Sequence, residues 1–194
     1  MPNNSLFHTK IFTTTLNTFS PSEMDYFNKF LLSLPNKDLD SHGEFSINQN
    51  VLNTSLFKGL KKQILFYSKQ YLKSLGHEFE DIQIANSWSN ILHKNEEIHK
   101  HSHNNSYISG VFYVNEPTEI YFEDPTLNKW HFSPAFLKES FMSVKLTPPS
   151  KSLIIFPSFI EHFVPPSPKD NRVSIAFNII PKGKFGMMTS QLNL

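Results

Sequence analysis

The stretch Tyr107-Ile108-Ser109-Gly110-Val111-Phe112-Tyr113-Val114-Asn115 decides the fold class. It is a short apolar and aromatic run, rich in β-branched and aromatic residues. Asn104-Asn105-Ser106 bounds it on one side and Asn115-Glu116-Pro117 on the other. Such a run reads as a buried strand, because it is too short for a helix and turn residues close both ends. Working outward, the same pattern recurs at 82–93, 119–123, 141–146, 152–156 and 173–180. Six short strands at this spacing, with 13 prolines to end them, point to a sandwich or barrel rather than alternating βαβ units.

Toward the N-terminus the pattern changes. Ser20-Pro21-Ser22-Glu23 is a helix start, with Ser20 as N-cap, Pro21 at N1 and Glu23 closing a capping box. The helix carries Met24, Phe27, Phe30, Leu31 and Leu34 on one face and stops before Pro35. A second helix is predicted from about Thr54, with Leu56, Phe57, Leu60, Ile64, Tyr67, Tyr71, Leu72 and Leu75 in register and Gly76 as the C′ residue. The fold expected is mainly β, a jelly roll (double-stranded β-helix) with N-terminal helices. One domain is expected over 1–194: a helical part over 1–80, the jelly-roll core over 81–182 and a tail over 183–194.

Bulk properties remove several classes of function. The 194 residues carry a net charge of +1, which gives no electrostatic footprint for nucleic acid. There is no cysteine, so disulfides, thiolate metal sites, iron–sulfur clusters and cysteine nucleophiles are excluded. The opening residues lack a basic segment followed by an apolar run, and no stretch reaches the roughly 20 apolar residues of a membrane span. A cytoplasmic protein with no membrane partner is expected. No G-x-S-x-G elbow, phosphate-cradling glycine loop or H-E-x-x-H helix is present. A homodimer is compatible with the sequence, which does not fix the oligomeric state.

The histidines are the chemical signal. Four of the nine fall within eleven residues, as His93, His99, His101 and His103. In His101-Ser102-His103 two imidazoles lie two residues apart at a strand terminus, where alternate side chains share a face. Both can reach one ion, with a third ligand from a distant strand. His162, where the apolar run 152–156 gives way to a turn, is the natural third. His99-x-His101 is equally spaced, and spacing alone does not choose between the two pairs.

Residues 101–114, His-Ser-His-Asn-Asn-Ser-Tyr-Ile-Ser-Gly-Val-Phe-Tyr-Val, resemble a family of iron(II)- and 2-oxoglutarate-dependent oxygenases of bacteria and phages, with the pattern H-x-H followed by S-x-x-S-G-V-[FY]-Y-V. Asn86-Ser87-Trp88-Ser89-Asn90 is similar to its S-W-x-N strand. Leu153–Ser158, His162 and Arg172-Val173-Ser174-Ile175-Ala176-Phe177-Asn178 are similar to its L-x-x-F-P-S…H…R-x-S-x-A-F-N block. Leu6-Phe7-His8-Thr9-Lys10-Ile11-Phe12 is similar to its start. The resemblance implies Fe(II) on His101, His103 and His162, with 2-oxoglutarate and O2 as co-substrates. By a more distant resemblance to the prolyl-hydroxylase branch, Tyr113, Arg172 and Asn90 bind 2-oxoglutarate. Ser174, two residues along the same strand face as Arg172, assists. An arginine fork suits the far carboxylate of this dianion. The implied reaction is hydroxylation of an unidentified substrate, a protein side chain such as proline or a small molecule, with release of succinate and CO2. His103 stands where most such oxygenases carry an acidic ligand. Trp88, Phe112 and Phe177 are candidates for apolar shielding, and 123–134 for a loop at the cleft mouth. Two other readings fit the fold: a cupin-type metal enzyme that does not use 2-oxoglutarate, and a non-catalytic structural jelly roll.

Overall fold

The computed structural model describes residues 9–115, 119–126, 142–186 and 188–194. The first three residues of the start motif over 6–12, and most of the predicted mouth loop over 123–134, lie outside them. In chain order the elements are β1 (Phe12–Thr15), α1 (Pro21–Leu32), β2 (Asn36–Asp38), β3 (Glu44–Ser46), α2 (Lys58–Ser74), β4 (Phe79–Leu92), β5 (Ile98–His101), β6 (Ile108–Tyr113), β7 (Ile120–Glu123), β8 (Ser143–Leu146), β9 (Ser152–Pro157), β10 (His162–Val164), β11 (Arg172–Phe185) and β12 (Leu192–Asn193).

The helix ends follow the local chemistry. The Ser20 hydroxyl accepts from the Glu23 amide, and the Glu23 carboxylate accepts from the Ser20 amide at 2.8 Å, so two otherwise unpaired donors at the start of α1 are satisfied. At the end of α2, Gly76 adopts φ +79°. That turn lets the Gly76 amide donate to the Lys73 carbonyl at 3.0 Å and the His77 amide to the Leu72 carbonyl at 3.1 Å, a Schellman closure. α2 begins at Lys58, four residues later than predicted, because 51–53 and 55–57 form tighter 3-10 turns with Thr54 extended between them.

Among the described residues the strands form two sheets. The larger has the order β1-β9-β6-β11-β4-β3-β2, with β12 paired to β11, and the smaller has the order β5-β10-β7-β8. The expected jelly-roll architecture, mostly β with helices against one face, is therefore found. The region before residue 80 holds more than helices: β1 extends the large sheet at one edge, and β2 and β3 extend it at the other. At three or four residues each, these strands are too short to show a period in sequence.

Strand parity sorts the core into two layers. Phe112, Leu153, Ile155, Val173, Ile175, Phe177 and Ile179 face the helices and pack with Phe27, Phe57, Leu60 and Ile64. Their alternates, Val111, Tyr113, Ile154 and Phe156, face the small sheet and pack with Ile120, Phe122, Ile160 and Val164. Each fully buried Leu, Ile or Phe contributes roughly 1.5–3 kcal/mol. Gly110 is required by this packing: a Cβ there would run into the Phe177 ring and lie 2.6 Å from the Ile154 carbonyl oxygen. Trp88 faces the space between the sheets, as expected of a shielding residue. Phe112 and Phe177 are 0% exposed on the opposite, helix-facing side, so they do not shield that space.

Candidate metal centre

The last residue of β5 and the first of β10 are direct antiparallel partners, and both are histidines, His101 and His162. Their ring centroids lie 4.3 Å apart. The chain leaves the β5 strand after His101. A backbone bond from the His103 amide to the Ser158 carbonyl, 2.9 Å, then holds His103 beside the pair. The His103 ring stacks 5.2 Å from His162 and lies 5.0 Å from His101. One ring nitrogen from each of the three lies within 4.8 Å of the others. His99 does not join them: it is exposed, contacts Glu97 at 3.2 Å and packs on His42.

Two imidazoles are oriented from behind. His101 Nδ1 is 2.7 Å from the His99 carbonyl oxygen and His162 Nδ1 is 3.0 Å from that of Ile160. A ring that donates from Nδ1 keeps its Nε2 lone pair free. Burial pushes His103 down to about 4 and His162 down to about 3, with neighbouring imidazoles adding to the effect. Both are therefore neutral at neutral pH, the form that binds a metal ion.

The cavity holding these rings continues inward to the large sheet. There Asn90, Ser174 and Tyr113 form a row across β4, β11 and β6, in direct register on adjacent strands. Arg172, two residues before Ser174, joins them on the same face and is 2% exposed. Its guanidinium carbon sits 5.5 Å from the centroid of the Tyr113 ring. Among the described residues, Arg172 Nε and Nη1 and the Tyr113 hydroxyl are buried with no hydrogen-bond partner. Burial pushes the Tyr113 hydroxyl up to about 12 and holds Arg172 below its ordinary value. Among the described residues that line the cavity, none is a carboxylate. A buried guanidinium with two nitrogens left without hydrogen-bond partners is costly, so this end of the cavity is suited to an anion.

Thus His101, His103, His162, Asn90, Tyr113, Arg172 and Ser174 line one cavity. Sequence reasoning missed its apolar walls, Phe45, Ile98, Ile120 and Val164, which come from four separate strands. It also missed the bond from Trp88 Nε1 to Asn90 Oδ1, 2.8 Å, although the spacing of two residues within a strand signals a shared face.

Residues 86–178 match a family model described as "Putative 2OG-Fe(II) oxygenase". No curated protein sequence matches the chain. Among solved structures, a Pseudomonas putida prolyl-4-hydroxylase is similar at 9% identity, covering 90% of this chain and 94% of its own, with a TM-score of 0.63. HygX from Streptomyces hygroscopicus, solved with nickel, 2-oxoglutarate and hygromycin B bound, is similar at 12% identity over 89% and 82% of the two chains, TM-score 0.62. The viral collagen prolyl hydroxylase of Paramecium Bursaria Chlorella virus-1, solved as a 2-oxoglutarate complex, is similar at 12% identity over 92% and 96%, TM-score 0.56. At these identities the likeness is one of fold. Among the described residues no helix is long and apolar enough to cross a membrane.

Proposed function

We propose that this chain is an iron(II)- and 2-oxoglutarate-dependent oxygenase that hydroxylates a C–H bond of a protein side chain or small molecule, with His101, His103 and His162 holding Fe(II) and Arg172, Tyr113, Ser174 and Asn90 holding 2-oxoglutarate; the match of residues 86–178 to the 2OG-Fe(II) oxygenase family model supports this reading. The observation that carries the reading is a single cavity with three convergent imidazoles near one end and buried, partnerless Arg172 and Tyr113 donors at the other.

The residues fit both groups. Three imidazole nitrogens are a donor set for a divalent transition metal. Imidazole ligands bring no negative charge, so the ion would keep its full double charge, which the dianionic co-substrate balances. The Arg172 fork and the Tyr113 hydroxyl supply the hydrogen bonds that a buried carboxylate needs. Ser174 and Asn90, next in the row, donate to the same end. When bound, the iron supplies oxygen activation and the oxidative decarboxylation of 2-oxoglutarate to succinate and CO2. The protein orients the groups, and Ile98, Ile120 and Val164 keep bulk water out.

With Fe(II), 2-oxoglutarate and air, the wild type is expected to release succinate and CO2 in equal amounts, slowly while the primary substrate is lacking. His162→Ala is expected to release neither. Wild-type protein that holds one iron per chain yet yields no succinate above that of free iron would contradict the proposal.

A further inference from the structure

Trp88 and Asn90 sit two residues apart on β4, so both side chains face the cavity. The Asn90 backbone is locked in mid-sheet between Ser174 of β11 and Phe45 of β3, which leaves the carboxamide as its only adjustable part. A carboxamide in a cavity has two orientations, one offering two N–H donors and the other an acceptor oxygen. An indole N–H can only donate. The 2.8 Å contact from Trp88 Nε1 therefore fixes which atom it meets: Oδ1 turns to Trp88 and Nδ2 turns away. Asn90 is 5% exposed, and with Oδ1 taken by the indole the end left for a ligand is Nδ2.

The same cavity already offers Arg172 Nε and Nη1 and the Tyr113 hydroxyl without partners. With Nδ2 added, this end presents donors to whatever it binds, which is the pattern that recognises an oxygen-rich anion. A flipped Asn90 would instead point an acceptor oxygen at that anion.

We propose that Trp88 is a positioning residue, acting through Asn90 to hold its carboxamide in the donor orientation toward the bound 2-oxo acid. This rests on the co-substrate site proposed above and gives the tryptophan a role that apolar lining does not require. The indole also lies 5.9 Å from the His103 ring, so one side chain borders both the metal cluster and the anion end.

The test is calorimetric titration of 2-oxoglutarate into protein loaded with Ni(II), which avoids turnover, for wild type, Trp88→Phe, Asn90→Ala and the double variant. Trp88→Phe keeps an aromatic ring and removes the donor. It is expected to weaken 2-oxoglutarate binding by about 10–150-fold, the worth of one hydrogen bond to a charged ligand. Ni(II) affinity is expected to stay within about 2-fold. In the Asn90→Ala background the same change is expected to cost less than about 2-fold, since the group it acts through is gone. Unchanged 2-oxoglutarate affinity in Trp88→Phe, or full multiplication of the two single effects, would overturn the positioning role while leaving the site reading intact. Wild-type protein that takes up Ni(II) but not 2-oxoglutarate would overturn both. Should Trp88→Phe fail to fold, the wild type loaded with Zn(II) answers by NMR. The Asn90 Nδ2 protons are expected to shift on addition of 2-oxoglutarate while the Trp88 indole N–H stays protected from exchange. An Asn90 amide that does not respond overturns the proposal.

Discussion

Arg172→Met is expected to abolish measurable 2-oxoglutarate binding and to leave the chain folded and at least as stable. Both halves follow from one observation. The guanidinium is 2% exposed, and two of its nitrogens have no hydrogen-bond partner among the described residues. Without a ligand it is a buried charge whose desolvation is not offset, and replacing such a charge by an apolar side chain of similar volume is neutral or stabilising by about 1–4 kcal/mol. With a carboxylate bound, the same nitrogens form charge-assisted bonds. Removing one partner of such a buried pair costs about 3–5 kcal/mol, a loss of roughly 100-fold to several thousand-fold in affinity. Urea denaturation of the apoprotein and calorimetry of the metal-loaded form measure the two halves. A variant that is strongly destabilised, yet binds 2-oxoglutarate as the wild type does, would make Arg172 a structural residue.

His162→Ala is expected to lower divalent metal affinity by more than 100-fold, whereas His99→Ala leaves it unchanged. Loss of a partner that merely orients a ligand already costs about 10–100-fold, so loss of a ligand itself costs more. His162 is 6% exposed, held from behind by the Ile160 carbonyl and packed edge-on against Phe156 at 4.7 Å, so its ring is pre-oriented. His99 is 60% exposed and turned to Glu97. Equilibrium dialysis with Ni(II) or Co(II) separates the two. Equal losses in both variants would mean adsorption to a histidine-rich surface instead of a built site.

How much of this was legible in the sequence varies by element. The capping box at Ser20 and the αL residue at Gly76 are local chemistry, and each helix end formed as that chemistry requires. The short apolar runs became β6 and β9, buried on both faces, while β4 and β11 were legible from apolar residues at alternate positions, such as Ile82 and Ile84 or Val173, Ile175, Phe177 and Ile179. β5 and β10, which carry His101 and His162, were not legible as strands. They are four and three residues long and are held by pairing with each other and with β7. The choice of His103 over His99 was closed to sequence for a similar reason. Both stand two residues from His101, and the long-range bond to the Ser158 carbonyl selects between them. The placing of Phe112 and Phe177, by contrast, was readable. If Tyr113 and Arg172 face the cavity, strand alternation turns Phe112 and Phe177 away from it.

Whether one cavity holds a divalent iron on three histidines and a 2-oxo acid against Arg172 is tested most directly by the visible spectrum of the Fe(II) protein under strict anaerobiosis as 2-oxoglutarate is added. The expected result is a weak charge-transfer band that saturates at one equivalent of each, is absent in His162→Ala and is lost in Arg172→Met at the same concentration. Wild-type protein that binds one Fe(II) per chain and shows no band at saturating 2-oxoglutarate would contradict the account and favour a metal enzyme of another kind on the same scaffold. Protein that binds no stoichiometric metal would leave a jelly roll without this chemistry.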